Sequence, residues 1–134
     1  MIFRQLHDPE SSTWTYLVAG RAGGEALIID PVVGLMDMYV ELLGQLDLKL
    51  ALAIDTHTHA DHITALGGLR ERTGCATVMG EFSKASCSRR VRDGEIIDCD
   101  GLKLEAMYTP GHTDESFSFR LDRKSTRLNS SHRL

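Results

Sequence analysis

An α/β fold is what this sequence predicts, and three observations carry that expectation. Short β-branched and aromatic runs recur along the chain. One segment, Met36 to Leu46, has apolar residues at helical spacing. An apolar strand-like run, residues 48–54, is followed by a second short helical pattern. With 134 residues the chain has the length of one domain burying roughly two thirds of its unfolded surface, so a single core is expected.

Taken in order, "IFRQL" and "WTYLVAG" read as strands, and "RAGGE" supplies the glycines of a hairpin turn before "ALIIDP". The beginning is therefore antiparallel sheet. In the next segment Met36, Tyr39, Val40, Leu43 and Leu46 share one face of an amphipathic helix. "LKLALAI" mixes alternation with a fully apolar end, as a strand entering a core does. Ile63, Leu66 and Leu69 suggest a short helix that Gly74 stops. "ATVMG" is a further strand, and the polar, basic "SKASCSRRVRDG" reads as a loop or one exposed helical turn. "EIIDCDGLKLEAMYT" forms two strands around Asp100-Gly101, and "SFSFRL" alternates as a last strand.

Hydrophobic and charged fractions of 42% and 25% are those of an ordinary soluble domain, and a net charge of −4 argues against nucleic acid or an anionic membrane as partner. No apolar run approaches a bilayer span, and "MIFRQLHDPESS" lacks the basic-then-apolar layout of a secretory signal, so an intracellular protein is expected. Cys75, Cys87 and Cys99 form an odd set without a C-x-x-C pair. They are read as small core or surface residues, with no disulfide framework and no thiolate zinc site.

The tail from Asp122 differs in kind. It has four basic residues against one acid, a net +3, whereas residues 1–121 have 11 basic and 18 acidic residues, a net −7. Leu128 and Leu134 are its only large apolar residues, too few to order it. Moreover, "DRKSTRLNSSH" is similar to the translation of a common sequencing-adapter string. The expectation is a partial domain over 1–121 and a non-native, disordered segment over 122–134.

Chemistry concentrates in "THTHADH", residues 56–62, and "TPGHTDES", residues 109–116, which hold four of the six histidines. In extended chain His57, His59 and Asp61 share one side, and His62 swings in as the next helix starts. Imidazole nitrogens and a carboxylate converging in this way suit zinc, iron or manganese. Pro110 and Gly111 shape a tight turn that presents His112 from a strand end. Because ligation needs neutral histidines, metal binding should weaken as pH drops through about 6 to 7.

These two motifs resemble the metallo-β-lactamase superfamily, whose H-x-H-x-D-H loop and later G-H motif sit at the mouth of an αββα sandwich. The N-terminal part of that sandwich is what this chain would hold. "MIFRQLHDPESSTWTYLVAG", "ALIIDPV", "THTHADHITA", "VRDGEII" and "YTPGHTDESFSF" narrow the resemblance to the persulfide dioxygenases, over essentially all of residues 1–121. Thr58 stands where the related glyoxalase II hydrolases usually carry another histidine.

The resemblance implies one Fe(II) per subunit, with Zn(II) as the alternative, oxidising glutathione persulfide with O2 to sulfite. It makes His57 and His112 metal ligands. His59, Asp61 and His62 match positions that bind a second metal in binuclear relatives, or else surround the iron and hydrogen-bond its ligands. The third ligand, an aspartate, is expected after Leu121, where this chain has the adapter-like tail. Asp61, Asp114 or Glu115 could substitute, although none matches the family position. Without that ligand the chain as it stands is expected to be inactive, and with half of the sandwich absent its apolar sheet faces and edges are expected to be left uncovered. The implied partners are a persulfide, glutathione and O2, with a homodimer when complete. The implied location is the cytoplasm, or the mitochondrial matrix in a eukaryote. A glyoxalase II-like thioester hydrolase and a metal-binding fragment without activity are the competing readings. Arg89, Arg90 and Arg92 are read as a solvated turn rather than a glutathione-facing patch.

Overall fold

The computed structural model describes residues 1–57, 65–111 and 113–121, together with the backbone of residues 127–128. Strands β1 (Ile2–Asp8) and β2 (Thr13–Ala19) pair antiparallel, with Ile2 opposite Ala19 and Asp8 opposite Thr13. The Asp8 carboxylate closes their turn by accepting from the Ser11 hydroxyl at 2.6 Å. β3 (Glu25–Ile29) lies antiparallel to β2, as the glycine-rich turn predicts.

Parallel pairing begins after β3. A single 3-10 turn and helix α1 (Met36–Gln45) carry the chain to β4 (Lys49–Ile54), which runs parallel to β3. Helix α2 (Leu66–Thr73) then leads to β5 (Ala76–Gly80), parallel to β4. Gly74 ends α2 in the left-handed conformation, φ 78°, with its N–H donating to the Arg70 carbonyl. β6 (Arg89–Val91) completes a six-stranded sheet in the order β1-β2-β3-β4-β5-β6. A second, antiparallel sheet contains β7 (Ile96–Cys99), β8 (Leu102–Tyr108), β9 (Phe117–Leu121) and the two-residue β10 (Arg127–Leu128).

Two cores share the first sheet. Tyr16, Val18, Leu27, Ile29, Ile54 and Val78 meet Ile97, Leu104, Ala106, Phe117 and Phe119 of the second sheet. On the opposite face Leu17, Ile28, Leu50 and Met79 pack with Tyr39 and Leu43 of α1 and Leu66 and Leu69 of α2. β2 and β3 are thus buried on both sides, which explains why "TYLVA" and "ALII" are continuous apolar runs rather than alternating ones. The layers are helices, sheet and sheet, three of the four in an αββα sandwich.

Two expectations change. "SKASCSRRVRDG" is not wholly loop, because Arg89–Val91 forms the edge strand β6. Its side chains did not announce this, since an edge strand tolerates charge and uses it to discourage further pairing. The outward face of the second sheet is not apolar among the described residues. Lys103 pairs with Asp98 at 2.7 Å and Arg120 pairs with Glu105, each across a strand boundary in register, with only Ile96 as a large exposed apolar side chain. Arg127 and Leu128 pair through their backbone with Arg120 and Phe119 as β10. The rest of 122–134 lies outside the described residues.

Candidate metal centre

The first histidine motif begins where β4 leaves the sheet. Asp55 keeps contact with β5, its N–H donating to the Val78 carbonyl at 3.1 Å. Thr56 follows, and all three of its polar groups are held. Its N–H donates to Asp30 Oδ1 at 2.8 Å, its hydroxyl to Asp30 Oδ2 at 2.7 Å, and its carbonyl accepts from Phe117 N–H at 2.8 Å. His57, 9% exposed, places Nδ1 2.9 Å from the Thr56 hydroxyl oxygen.

Asp30 is itself positioned by its surroundings. It ends β3 with φ 56°, a left-handed conformation that aspartate tolerates better than most residues. Its N–H donates to the Ile54 carbonyl at 2.7 Å, and its carbonyl accepts from the Thr15 hydroxyl at 2.7 Å. Thr15 Oγ1, having given its proton away, accepts from the Tyr39 hydroxyl at 3.2 Å, and that hydroxyl accepts from Val32 N–H at 3.0 Å. Burial pushes the Tyr39 hydroxyl above the ordinary tyrosine value, so it remains a donor. α1 is thereby tied to the strand end that supports His57.

The second motif is the connection from β8 to β9. Thr109 N–H donates to the Ser116 carbonyl at 3.0 Å, and Gly111 N–H to the Thr113 carbonyl at 3.2 Å. Thr109 and Ser118 hydroxyls lie 2.8 Å apart, Thr113 and Ser116 hydroxyls 2.6 Å apart, and Tyr108 O–H donates to the Asp114 carbonyl at 2.6 Å. These bonds close the loop that carries His112. The Phe117-to-Thr56 bond then joins the two motif-bearing connections across the sheets. Beside them Phe82 packs at a tilt against Tyr108, ring centroids 4.8 Å apart, and Tyr108 likewise against Phe117 at 5.5 Å.

Of the five candidate residues, His57 is described; His59, Asp61, His62 and His112 lie outside the described residues. Among the described residues no three His, Cys, Asp or Glu side chains cluster as a metal site. Asp114 is exposed and Glu115 half-buried. The donor chemistry of His57 fits a metal, because an imidazole nitrogen is a ligand for zinc and iron and the Thr56 hydroxyl lies beside Nδ1, where it can orient the ring. Asp30 and Thr56 had been given no role from sequence. The available signal was an aspartate closing an apolar strand, since a buried carboxylate must find donors.

The arginines serve local structure. Arg90 donates to the Ser83 and Ala85 carbonyls at 2.5 Å each, and Arg89 pairs with Glu95 at 2.7 Å. Both bind their own surroundings from the edge strand β6, where a solvated turn was expected.

Residues 8–126 match the model of the metallo-beta-lactamase superfamily. The mitochondrial persulfide dioxygenase ETHE1 of Homo sapiens is 38% identical over 123 residues, 91% of this chain and 48% of that protein. The chain spans about half the length of the curated relatives it matches first. The crystal structure of ETHE1 from Myxococcus xanthus is similar with a TM-score of 0.86 and 45% identity, covering 90% of this chain and 54% of that one. A metallo-beta-lactamase from Staphylococcus aureus is similar with a TM-score of 0.83 and 29% identity, covering 92% and 39%.

Proposed function

Since the chain belongs to the metallo-beta-lactamase superfamily, we propose that it is part of a persulfide dioxygenase that converts glutathione persulfide, O2 and water to glutathione and sulfite at one iron. The carrying observation is the 2.8 Å bond from Phe117 N–H to the Thr56 carbonyl, which brings the connections bearing His57 and His112 to one end of the two sheets. The likeness to ETHE1 proteins from Homo sapiens and Myxococcus xanthus supports the choice of reaction.

In this reading His57 and His112 hold Fe(II), and a carboxylate beyond Leu121 completes the set. The metal, when bound, supplies the redox chemistry with O2. The chain's own residues do the remaining work. Asp30 and Thr56 orient His57, and the closed 109–116 loop presents His112. His59, Asp61 and His62 surround the metal. Tyr108 and Phe117 pack on each other beside both connections and fix the start of β9. A subunit in the cytoplasm or the mitochondrial matrix, paired as a homodimer, goes with this reading.

The test is O2 uptake with glutathione persulfide, alongside metal analysis, on the full-length protein. His57→Ala and His112→Ala should each lose iron and O2 consumption together, whereas His62→Ala should keep iron. Full iron and activity in His57→Ala would overturn the ligand assignment. Turnover of a glutathione thioester with zinc and no O2 uptake would replace the dioxygenase reading with a glyoxalase II-like hydrolase.

A further inference from the structure

Hydrogen-bond bookkeeping at the end of β4 assigns a state to His57. The Asp30 carboxylate faces two donors from one residue, Thr56 N–H at 2.8 Å and Thr56 O–H at 2.7 Å, and an ionised carboxylate only accepts. A threonine hydroxyl has one proton, and here it points to Asp30. The 2.9 Å contact between Thr56 Oγ1 and His57 Nδ1 therefore needs its proton from the imidazole.

We infer that Thr56, aligned by Asp30, is a positioning residue that holds His57 as the Nδ1–H tautomer and turns its Nε2 lone pair toward the metal. This deepens the metal-centre reading above and rests on it. It also gives the threonine before the first motif histidine a task that its neighbours cannot perform. Serine keeps the hydroxyl and should preserve the arrangement, whereas valine keeps the shape and removes it. Asparagine at position 30 offers one acceptor and one donor in place of two acceptors. One of the two Thr56 donors then loses its acceptor, and the hydroxyl proton can turn to His57 Nδ1, favouring the opposite tautomer.

The experiment has two readouts on the full chain. Long-range proton–nitrogen NMR of the metal-free protein reports which His57 nitrogen carries the proton, and chelator competition with Zn(II) reports affinity. Wild type and Thr56→Ser should show Nδ1–H and similar zinc affinity. Thr56→Val should show mixed tautomers with affinity lower by about 10- to 100-fold, the usual cost of removing a group that orients a ligand. Asp30→Asn should shift His57 toward Nε2–H. Wild-type His57 protonated at Nε2, or a Thr56→Val protein that folds and is unchanged in both readouts, would overturn the inference. An Nδ1–H wild type that binds no zinc would uphold the tautomer and strike the metal-centre reading instead. Loss of O2 uptake alone would bear only on the proposed reaction.

Discussion

Both carboxylate oxygens of Asp30 are taken by Thr56, one by its backbone N–H at 2.8 Å and the other by its hydroxyl at 2.7 Å. Asp30 is fully buried and Thr56 nearly so, and removing the carboxylate would leave two donors without their acceptor. Asp30→Ala should lower unfolding stability by at least about 2 kcal/mol. Urea titration checks this, and an unchanged midpoint would mean that water replaces the carboxylate without loss.

Tyr39 carries the support one step further out. Its hydroxyl accepts from Val32 N–H and donates to Thr15, which in turn bonds the Asp30 carbonyl. Tyr39→Phe should cost about 1–3 kcal/mol, because a buried N–H loses its acceptor while the ring still packs. A thermal melt matching wild type would show that the hydroxyl is dispensable.

Gly80 lies against the Phe117 ring, and a Cβ there would collide with the ring carbons. Gly80→Ala should destabilise by about 1–3 kcal/mol through overpacking. Because the ring is the obstacle, adding Phe117→Leu should recover part of the loss. A double variant no better than the sum of the two single variants would locate the strain elsewhere.

Thiol reactivity should separate the cysteines. Cys75 and Cys99 are buried and Cys87 is half-buried. Burial, reinforced by the charges of Glu25, Asp100 and Asp98, pushes the Cys99 thiol up to about 11. At pH 8 only about one Cys99 in a thousand is thiolate, so alkylation of native protein should mark Cys87 first. Mass spectrometry should find all three modified after denaturation, and early labelling of Cys99 would contradict the packing.

Glu95 links β6 to the turn before β7. The Arg89 guanidinium first, then Arg92 N–H, hold its carboxyl below the usual glutamate value. A depressed value contributes stability above the unfolded pKa of about 4.3, and that contribution is lost as pH falls through the folded value. For a pair exposed to solvent the contribution is about 0.2–1 kcal/mol. Glu95→Gln should therefore flatten the acid side of the stability profile and leave less difference from wild type at low pH than at pH 7. Equal differences at both would contradict it.

Local pattern by itself determined most of the elements of this protein. Helical spacing specified α1, Gly74 marked the end of α2, and Asp100-Gly101 marked the turn between β7 and β8, because periodicity and turn chemistry depend on residues near in sequence. The histidine spacing likewise pointed to a metal, and the two quoted motifs to the family. Tertiary structure alone decided the rest. β6 exists because β5 offers an open edge, not because Arg89 and Arg90 favour a strand. The outward face of the second sheet is polar because registry sets Lys103 against Asp98 and Arg120 against Glu105. Asp30 and Thr56 stand 26 positions apart in the chain, and a buried carboxylate reveals its partner only when parallel pairing of β3 and β4 brings their ends together. Such a bond depends on register and burial, which no window of neighbouring residues contains.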